Sequence, residues 1–361
     1  MPGTDPAEAM RVVAGELPDF PYLPELPDRG PGADLTGRTA ALLVDIPAEV
    51  TPRGWRVAER PGRDLARARS MLSSDLDVLE EVLQGFTGPV KIQLCGPWTL
   101  AATLELTHTM NVALSDPGAV ADLTTSLAEG TAAHVADVAK RVPGGRLVVQ
   151  FDEPALPSVT AGLVPTASGL SRLAAVEADT VRDRLSQVLA ATPAYTVVHC
   201  CAATVPFGII QNAGADGIAF DLSQLRRGEE DGVAEAAEAG LGLLTGAIPA
   251  VCGTLGEARQ TAPPGQGRQT APPGGSRQTA PPGEARPTAE PGGPRETAER
   301  VIRLWRRLGL PLATLPDQAV ITPACGLAGA SPAQARAALA RCREAAAMLP
   351  ELIEETGGEP R

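Results

Sequence analysis

Short runs of apolar, often β-branched residues alternate along this chain with longer alanine-rich stretches whose apolar positions recur every three or four residues. The first pattern is that of buried strands, the second that of amphipathic helices. The spans 91–94, 146–151, 195–198, 217–220, 241–247 and 319–321 read as strands. Asp116-Pro117 opens a long helix with Leu123, Leu127, Val135 and Val138 at helical spacing. The span 176–190 is a further helix. Ser331-Pro332 with Gln334 makes a capping box and starts a last helix that runs to about residue 349.

Strands that alternate with helices imply parallel βα units. An open doubly wound sheet and a closed barrel both satisfy that pattern. No Gly-x-Gly-x-x-Gly follows any strand, so the dinucleotide-binding fingerprint is missing. The length of 361 residues suits a (β/α)8 barrel with insertions. The expectation is therefore one catalytic barrel domain spanning residues 1–361.

One segment breaks the alternation. From Arg259 the chain repeats RQTAPPGQG-like nonapeptides, with arginines at 259, 268, 277, 286 and 295. The last copy lacks Pro-Pro and continues into a helix through Trp305. Proline and glycine at this density hold neither helix nor ladder. The span 256–293 is read as a flexible, solvated loop inserted in the barrel, acting as a spacer.

Composition narrows the function classes. The net charge is −12, from 43 acidic and 31 basic residues, with Lys91 and Lys140 the only lysines. An acidic chain without a basic run is a poor ligand for a phosphate backbone, so nucleic acid is not an expected partner. No run approaches the roughly 18 apolar residues of a membrane span, and no secretory leader is visible at the start. Six cysteines in a chain of this length do not form a disulfide framework. A cytoplasmic location follows as the expectation.

His199, Cys201, Asp221 and Cys325 each stand at or just past the C-terminal end of an expected strand. In a parallel barrel those ends converge on one face. In an extended stretch residues i and i+2 point the same way, so His199 and Cys201 can reach one ion. Imidazole with thiolate favours tetrahedral zinc. Cys325 adds a second sulfur and Asp221 an oxygen. Cys95, Cys252, Cys342 and Cys200 read as small apolar core residues, and His108 and His134 as polar residues in helical surroundings.

Four segments occur in order: Gln150-Phe-Asp-Glu-Pro-Ala-Leu156, His199-Cys-Cys201, Asp216-Gly-Ile-Ala-Phe-Asp221 and Thr322-Pro-Ala-Cys-Gly-Leu327. Together with Gly96-Pro97-Trp98-Thr99 they resemble the catalytic domain of cobalamin-independent methionine synthase, over roughly residues 90 to 349 apart from the repeat. The resemblance implies a zinc ion held by His199, Cys201, Asp221 and Cys325, with Asp221 where the family has the longer Glu. It implies homocysteine bound as a zinc thiolate, its ammonium contacted by Asp152. Glu25, in Pro24-Glu25-Leu26-Pro27, is a second candidate for that ammonium. The implied donor is 5-methyltetrahydrofolate or a related compound.

Two departures from the family bear on these expectations. The chain has one barrel's worth of residues, whereas the full-length family has a second barrel that helps hold folate. The family's first strand ends in an Ile-Gly-Ser-Phe-Pro-like motif, whereas this chain begins Met1-Pro2-Gly3-Thr4. A barrel lacking its first strand is therefore open beside a complete one. Two further readings stay open: a corrinoid-dependent thiol methyltransferase supplied by a corrinoid carrier protein, and a non-catalytic zinc-binding barrel. Uroporphyrinogen decarboxylases share the fold but lack the metal, and the cysteines here argue against them.

Overall fold

The computed structural model describes residues 1–249 and 292–357. Two short strands, β1 (Ala48–Thr51) and β2 (Gly54–Val57), pair as an antiparallel hairpin. The six apolar runs form the remaining strands: β3 (Gly88–Cys95), β4 (Gly145–Asp152), β5 (Tyr195–Cys200), β6 (Gly217–Asp221), β7 (Gly242–Ile248) and β8 (Ala319–Pro323). All five pairings among these six are parallel and follow the chain order. A doubly wound sheet reverses its strand order part-way, and this one does not.

The helices are α1 (Pro6–Glu16), α2 (Leu35–Ala40), α3 (Arg63–Val82), α4 (Pro97–Thr103), α5 (Pro117–Arg141), α6 (Leu156–Thr160), α7 (Ala178–Leu189), α8 (Phe207–Asn212), α9 (Glu230–Glu238), α10 (Pro294–Arg307), α11 (Leu315–Gln318) and α12 (Pro332–Gly357). One face of the strands carries Val90, Ile92, Leu94, Val149, Phe151, Val198 and Ile218 into the main core, where helical leucines, valines and alanines meet them. The opposite face is concave. There Val148, Val197, Ala219 and Leu244 form a separate small cluster with Phe20 and Val320. Phe20 lies beside β3 and Val320 lies on β8, at opposite edges of the sheet, and their meeting in one cluster shows that the sheet curls.

A short extended segment lengthens the wall beyond β3. Tyr22 bridges Lys91 in parallel, with Lys91 N donating to Pro21 O (3.0 Å) and Leu23 N to Lys91 O (2.9 Å). Prolines at 21 and 24 remove two ladder donors and keep this arc short. Among the described residues the wall is thus six strands and one bridge, a curled (β/α)8-type sheet in the version that lacks a strand.

Two local expectations are corrected. The last helix does not end near residue 349 but continues through Pro350 to Gly357, with Leu349 and Leu352 both buried. Continued apolar packing offsets the hydrogen bond that the proline removes. His108 lies in an exposed turn rather than a helix, whereas His134 is buried on α5. The nonapeptide repeat and Cys252 fall outside the described residues, apart from the helix start at Pro294. Among the described residues no helix is long and apolar enough to cross a membrane.

Candidate active site

Register explains how distant residues meet. Cys95 pairs with Asp152, Asp152 with His199 and His199 with Ala219, so these positions form one row across the C-terminal ends of β3 to β6. Two residues past His199 the chain reaches Cys201. From the far edge, the segment after β8 folds back over β7, with Ala324 N donating to Ile248 O (2.8 Å). Gly246 permits this approach, because a Cβ there would fall 2.6 Å from Cα of Ala324. The next residue, Cys325, then lies with its Sγ 3.6 Å from Sγ of Cys201.

That separation is informative. Two thiolates each about 2.3 Å from a tetrahedral zinc ion sit about 3.8 Å apart. A proton on either sulfur can also lie between them. The contact with Cys201, aided by the nearby His199, draws the Cys325 thiol below its ordinary range despite burial. The same contact, with burial, pushes the Cys201 thiol up.

His199 Nδ1 lies 2.7 Å from Asp152 Oδ1, which leaves Nε2 as the other ring nitrogen. Burial lowers the basicity of this imidazole, but the Asp152 hydrogen bond and charge outweigh it, and the net shift is upward. Gln150 Nε2 also donates to Asp152 Oδ1 (2.7 Å). Both contacts fall on one oxygen, so Oδ2 keeps its acceptor capacity. A metal-bound histidine commonly has its other nitrogen on a carboxylate in this way.

Asp221 is at the expected strand end, but its Oδ1 accepts from the backbone N (2.8 Å) and hydroxyl (2.7 Å) of Ser223. Both contacts fall on Oδ1, which ties that oxygen to its own turn. Among the described residues no group of three or more His, Cys, Asp or Glu side chains converges as a ready metal site. The two thiols and the oriented imidazole nevertheless match the donor chemistry of zinc, and Asp221 is the poorly fitting fourth member.

Glu25 lies on the loop after the Tyr22 arc, its Oε1 3.4 Å from Nε of Arg38. Burial raises its pKa, while Arg38 and Lys91 pull it back. Lys91 stands on the concave face. Its Nζ is 5.2 Å from the Tyr22 ring centre and 3.3 Å from Gln93 Oε1. Burial lowers its basicity, opposed by Asp152 and Glu25. Sequence reasoning missed Lys91 and Arg38. For Lys91 a signal was available: a lysine inside an apolar strand, in a chain with two lysines.

Glu153, adjacent to Asp152, has a different task. It is fully buried and accepts from Trp98 N (2.9 Å), Thr99 N (2.7 Å) and Thr99 Oγ1 (2.7 Å) at the start of α4. A Cβ on Gly96 would fall 2.4 Å from this carboxylate. The Gly96-Pro97-Trp98-Thr99 and Asp152-Glu153-Pro154 motifs are therefore two halves of one interlock, which ties the end of β4 to the helix after β3.

No protein-family model and no curated protein matches this sequence. Among solved structures, the fold is similar to a B12-independent methionine synthase from Shewanella sp. W3-18-1 in complex with selenomethionine. The TM-score is 0.57 at 14% identity, over 97% of this chain and 89% of the other. At that identity the likeness is one of fold alone, that of a curled parallel βα sheet.

Proposed function

We propose that this chain is a zinc-dependent methyltransferase that moves a methyl group to the thiol of homocysteine, giving methionine. The observation that carries the reading is the 3.6 Å approach of the Cys201 and Cys325 sulfurs beside an imidazole oriented by Asp152. His199, Cys201 and Cys325 would hold the ion, with Asp221 as fourth ligand once released from Ser223. Bound zinc supplies a thiolate from a substrate thiol whose pKa is ordinarily about 8.5. The side chains around it bind and orient. Asp152 fixes the His199 ring through Oδ1 and offers Oδ2 to the substrate ammonium. Glu25 offers a second carboxylate to the same cation, and Lys91 balances the two acids on the concave face.

The donor in this reading is 5-methyltetrahydrofolate or a related compound. A second reading, with a corrinoid carrier protein bringing the methyl group, is favoured by the placement of the aromatic side chains. A flat heteroaromatic donor gains from a ring to stack on. The sequence has three Trp, two Tyr and five Phe, and all lie among the described residues. The three Trp are buried, the strongly exposed ring, Tyr195, is at the opposite, N-terminal end of β5, and the half-buried Phe20 and Tyr22 are taken up by the concave cluster and by Lys91.

Metal analysis of the purified protein, combined with methyl transfer to L-homocysteine from 5-methyltetrahydrofolate and from methylcobalamin, tests both readings. Stoichiometric zinc that disappears in Cys201→Ser, with turnover from one donor, is expected. Full zinc in Cys201→Ser overturns the metal assignment. Zinc without turnover from any donor leaves a non-catalytic zinc barrel.

A further inference from the structure

Behind Glu25 lies a buried charge cluster that the proposed chemistry does not itself require. Asp75 on α3, with a side chain 2% exposed, accepts from Arg29 Nη1 and Nη2 (both 2.7 Å) and from Arg38 Nη1 (2.6 Å). Two guanidinium groups against one carboxylate leave a positive charge uncompensated, and a buried charge without a partner is strongly unfavourable. Glu25 supplies the missing negative charge. Arg38 Nε is buried without a hydrogen-bond partner and faces Glu25 Oε1 at 3.4 Å. The planar guanidinium thus spans two acids, Asp75 through Nη1 and Glu25 through Nε.

The local fold serves this placement. Helix α2 has six residues, three of them the weak helix formers Thr36, Gly37 and Thr39, and it depends on Asp34, whose side chain accepts from Gly37 N (2.6 Å). Gly37 is packed so tightly that a Cβ would fall 2.7 Å from Gly32 and from the Trp55 ring. The helix therefore turns Arg38 and Thr39 inward, and Thr39 Oγ1 accepts from Cys95 N at the end of β3 (2.8 Å).

The Glu25 backbone carbonyl accepts from the Met1 amino group (2.6 Å), and its side chain is approached by Arg38. Among the described residues Arg38 is its ion-pair partner, and no hydrogen bond is made to its carboxylate oxygens. Its side chain keeps 24% exposure, and the other charged groups acting on it are Asp152, Lys91 and the terminal amino group of Met1. A carboxylate fixed from behind, with free acceptor capacity in front, is a seat for a cation.

We infer that Arg38, clamped by Asp75 and Arg29, is a positioning residue that aims Glu25 at the ammonium of an amino-acid thiol and so gives the site its preference for amino acids over plain thiols. The inference rests on the methyltransferase reading for the thiol. It adds a selectivity that methyl transfer alone does not need.

Calorimetric binding of L-homocysteine and of 4-mercaptobutyrate, the same thiol without its amino group, to the zinc-loaded full-length protein tests it. Wild type is expected to favour homocysteine by at least about tenfold, the value of one charge-assisted hydrogen bond. Arg38→Met and Glu25→Gln should each lower that preference several-fold, down to the share that Asp152 supplies, while leaving 4-mercaptobutyrate affinity unchanged, and the double variant should be no worse than either single one. A purely structural role for Arg38 would weaken both ligands alike. Should Arg38→Met fail to fold, Arg38→Lys carries the same comparison, since it keeps a charge near Asp75 but lacks the Nε–H that faces Glu25. Preference retained in full in the Arg38 variant overturns the inference, and so does a wild type that binds both ligands equally or neither. Methyl transfer to the two thiols, assayed separately, shows whether the enzymatic reading stands when the inference falls.

Discussion

Asp152 and His199 are neighbours in register on β4 and β5, and their side chains meet at 2.7 Å through Oδ1 and Nδ1. The contact gives one carboxylate two tasks. Oδ1 sets the plane and tautomer of the imidazole, and in the proposed function Oδ2 is left for the substrate ammonium. A role in substrate binding alone predicts that Asp152→Asn leaves metal affinity untouched. The hydrogen bond predicts otherwise.

Asp152→Asn is expected to lower zinc affinity about 10- to 100-fold, the usual effect of losing the partner of a metal-bound histidine. Competition against a chelator of known affinity measures it. Glu25→Gln serves as the contrast, since Glu25 does not touch His199, and its zinc affinity should equal that of wild type. Equal affinities in all three proteins would remove His199 from the metal site or Asp152 from its support.

Gly246→Ala probes the other sulfur. A Cβ at that position would fall 2.6 Å from Cα of Ala324 and 2.8 Å from Phe220 O, both backbone atoms that cannot rotate away. The segment after β8 must then lift, carrying Cys325 from Cys201. The expected result is a stability loss of about 1–3 kcal/mol by denaturant unfolding, together with a clear fall in zinc affinity. Unchanged zinc affinity with lowered stability would mean that Cys325 finds its place without this close approach.

Glu153 makes stability depend on pH in an unusual direction. Burial, opposed by the hydrogen bonds from Thr99 and Trp98, raises its pKa from the ordinary 4.5 to about 7. The folded state therefore holds a proton that the unfolded state has released between those values. Its contribution is fully present below about pH 4.5 and is lost as pH rises through about 7, amounting to about 3 kcal/mol. The stability advantage of wild type over Glu153→Gln should shrink from pH 5 to pH 8. Unfolding free energies of the two proteins across that range would contradict the assignment if the gap stayed constant or widened.

The six parallel strands, unlike the β1–β2 hairpin, were legible because they are apolar runs, and Asp152, His199 and Asp221 marked three strand ends within a residue of their place. The Tyr22 arc was not, since flanking prolines disguise a segment whose ladder contact among the described residues is one bridge. Helix α2 was invisible for a related reason. Its six residues include Thr36, Gly37 and Thr39, and it exists through the Asp34 cap and the fit of Gly37 against Trp55, which are tertiary facts. Glu153 was hidden by its neighbour: the motif drew notice for Asp152, and nothing in the sequence says that the next carboxylate points the other way, into the start of α4. Asp221 is the opposite case. Its place at the strand end was right, but Ser223 two residues on competes for the same oxygen.

The insertion between β7 and α10 is expected to be dispensable for stability and for zinc. The flanks of that span are joined independently of it: Arg300 on α10 donates to Ala247 O on β7 (2.7 Å), and Val301, Leu304 and Trp305 are fully buried in the core. The anchorage of α10 therefore does not rest on the repeats. Their composition offers little to bury, since from Arg259 to Gly293 no Leu, Ile, Val, Met or aromatic residue occurs. Shortening a loop changes its closure entropy only with the logarithm of its length, so removal of three repeats, residues 259–285, should alter stability by no more than about 1 kcal/mol. Zinc content should be unchanged, because none of the proposed ligands lies within the span. Denaturant unfolding and metal analysis of the deletion variant check both statements. A loss of several kcal/mol, or of zinc, would show that the repeats contact the rest of the protein and would give this proline-rich segment a role beyond that of a spacer.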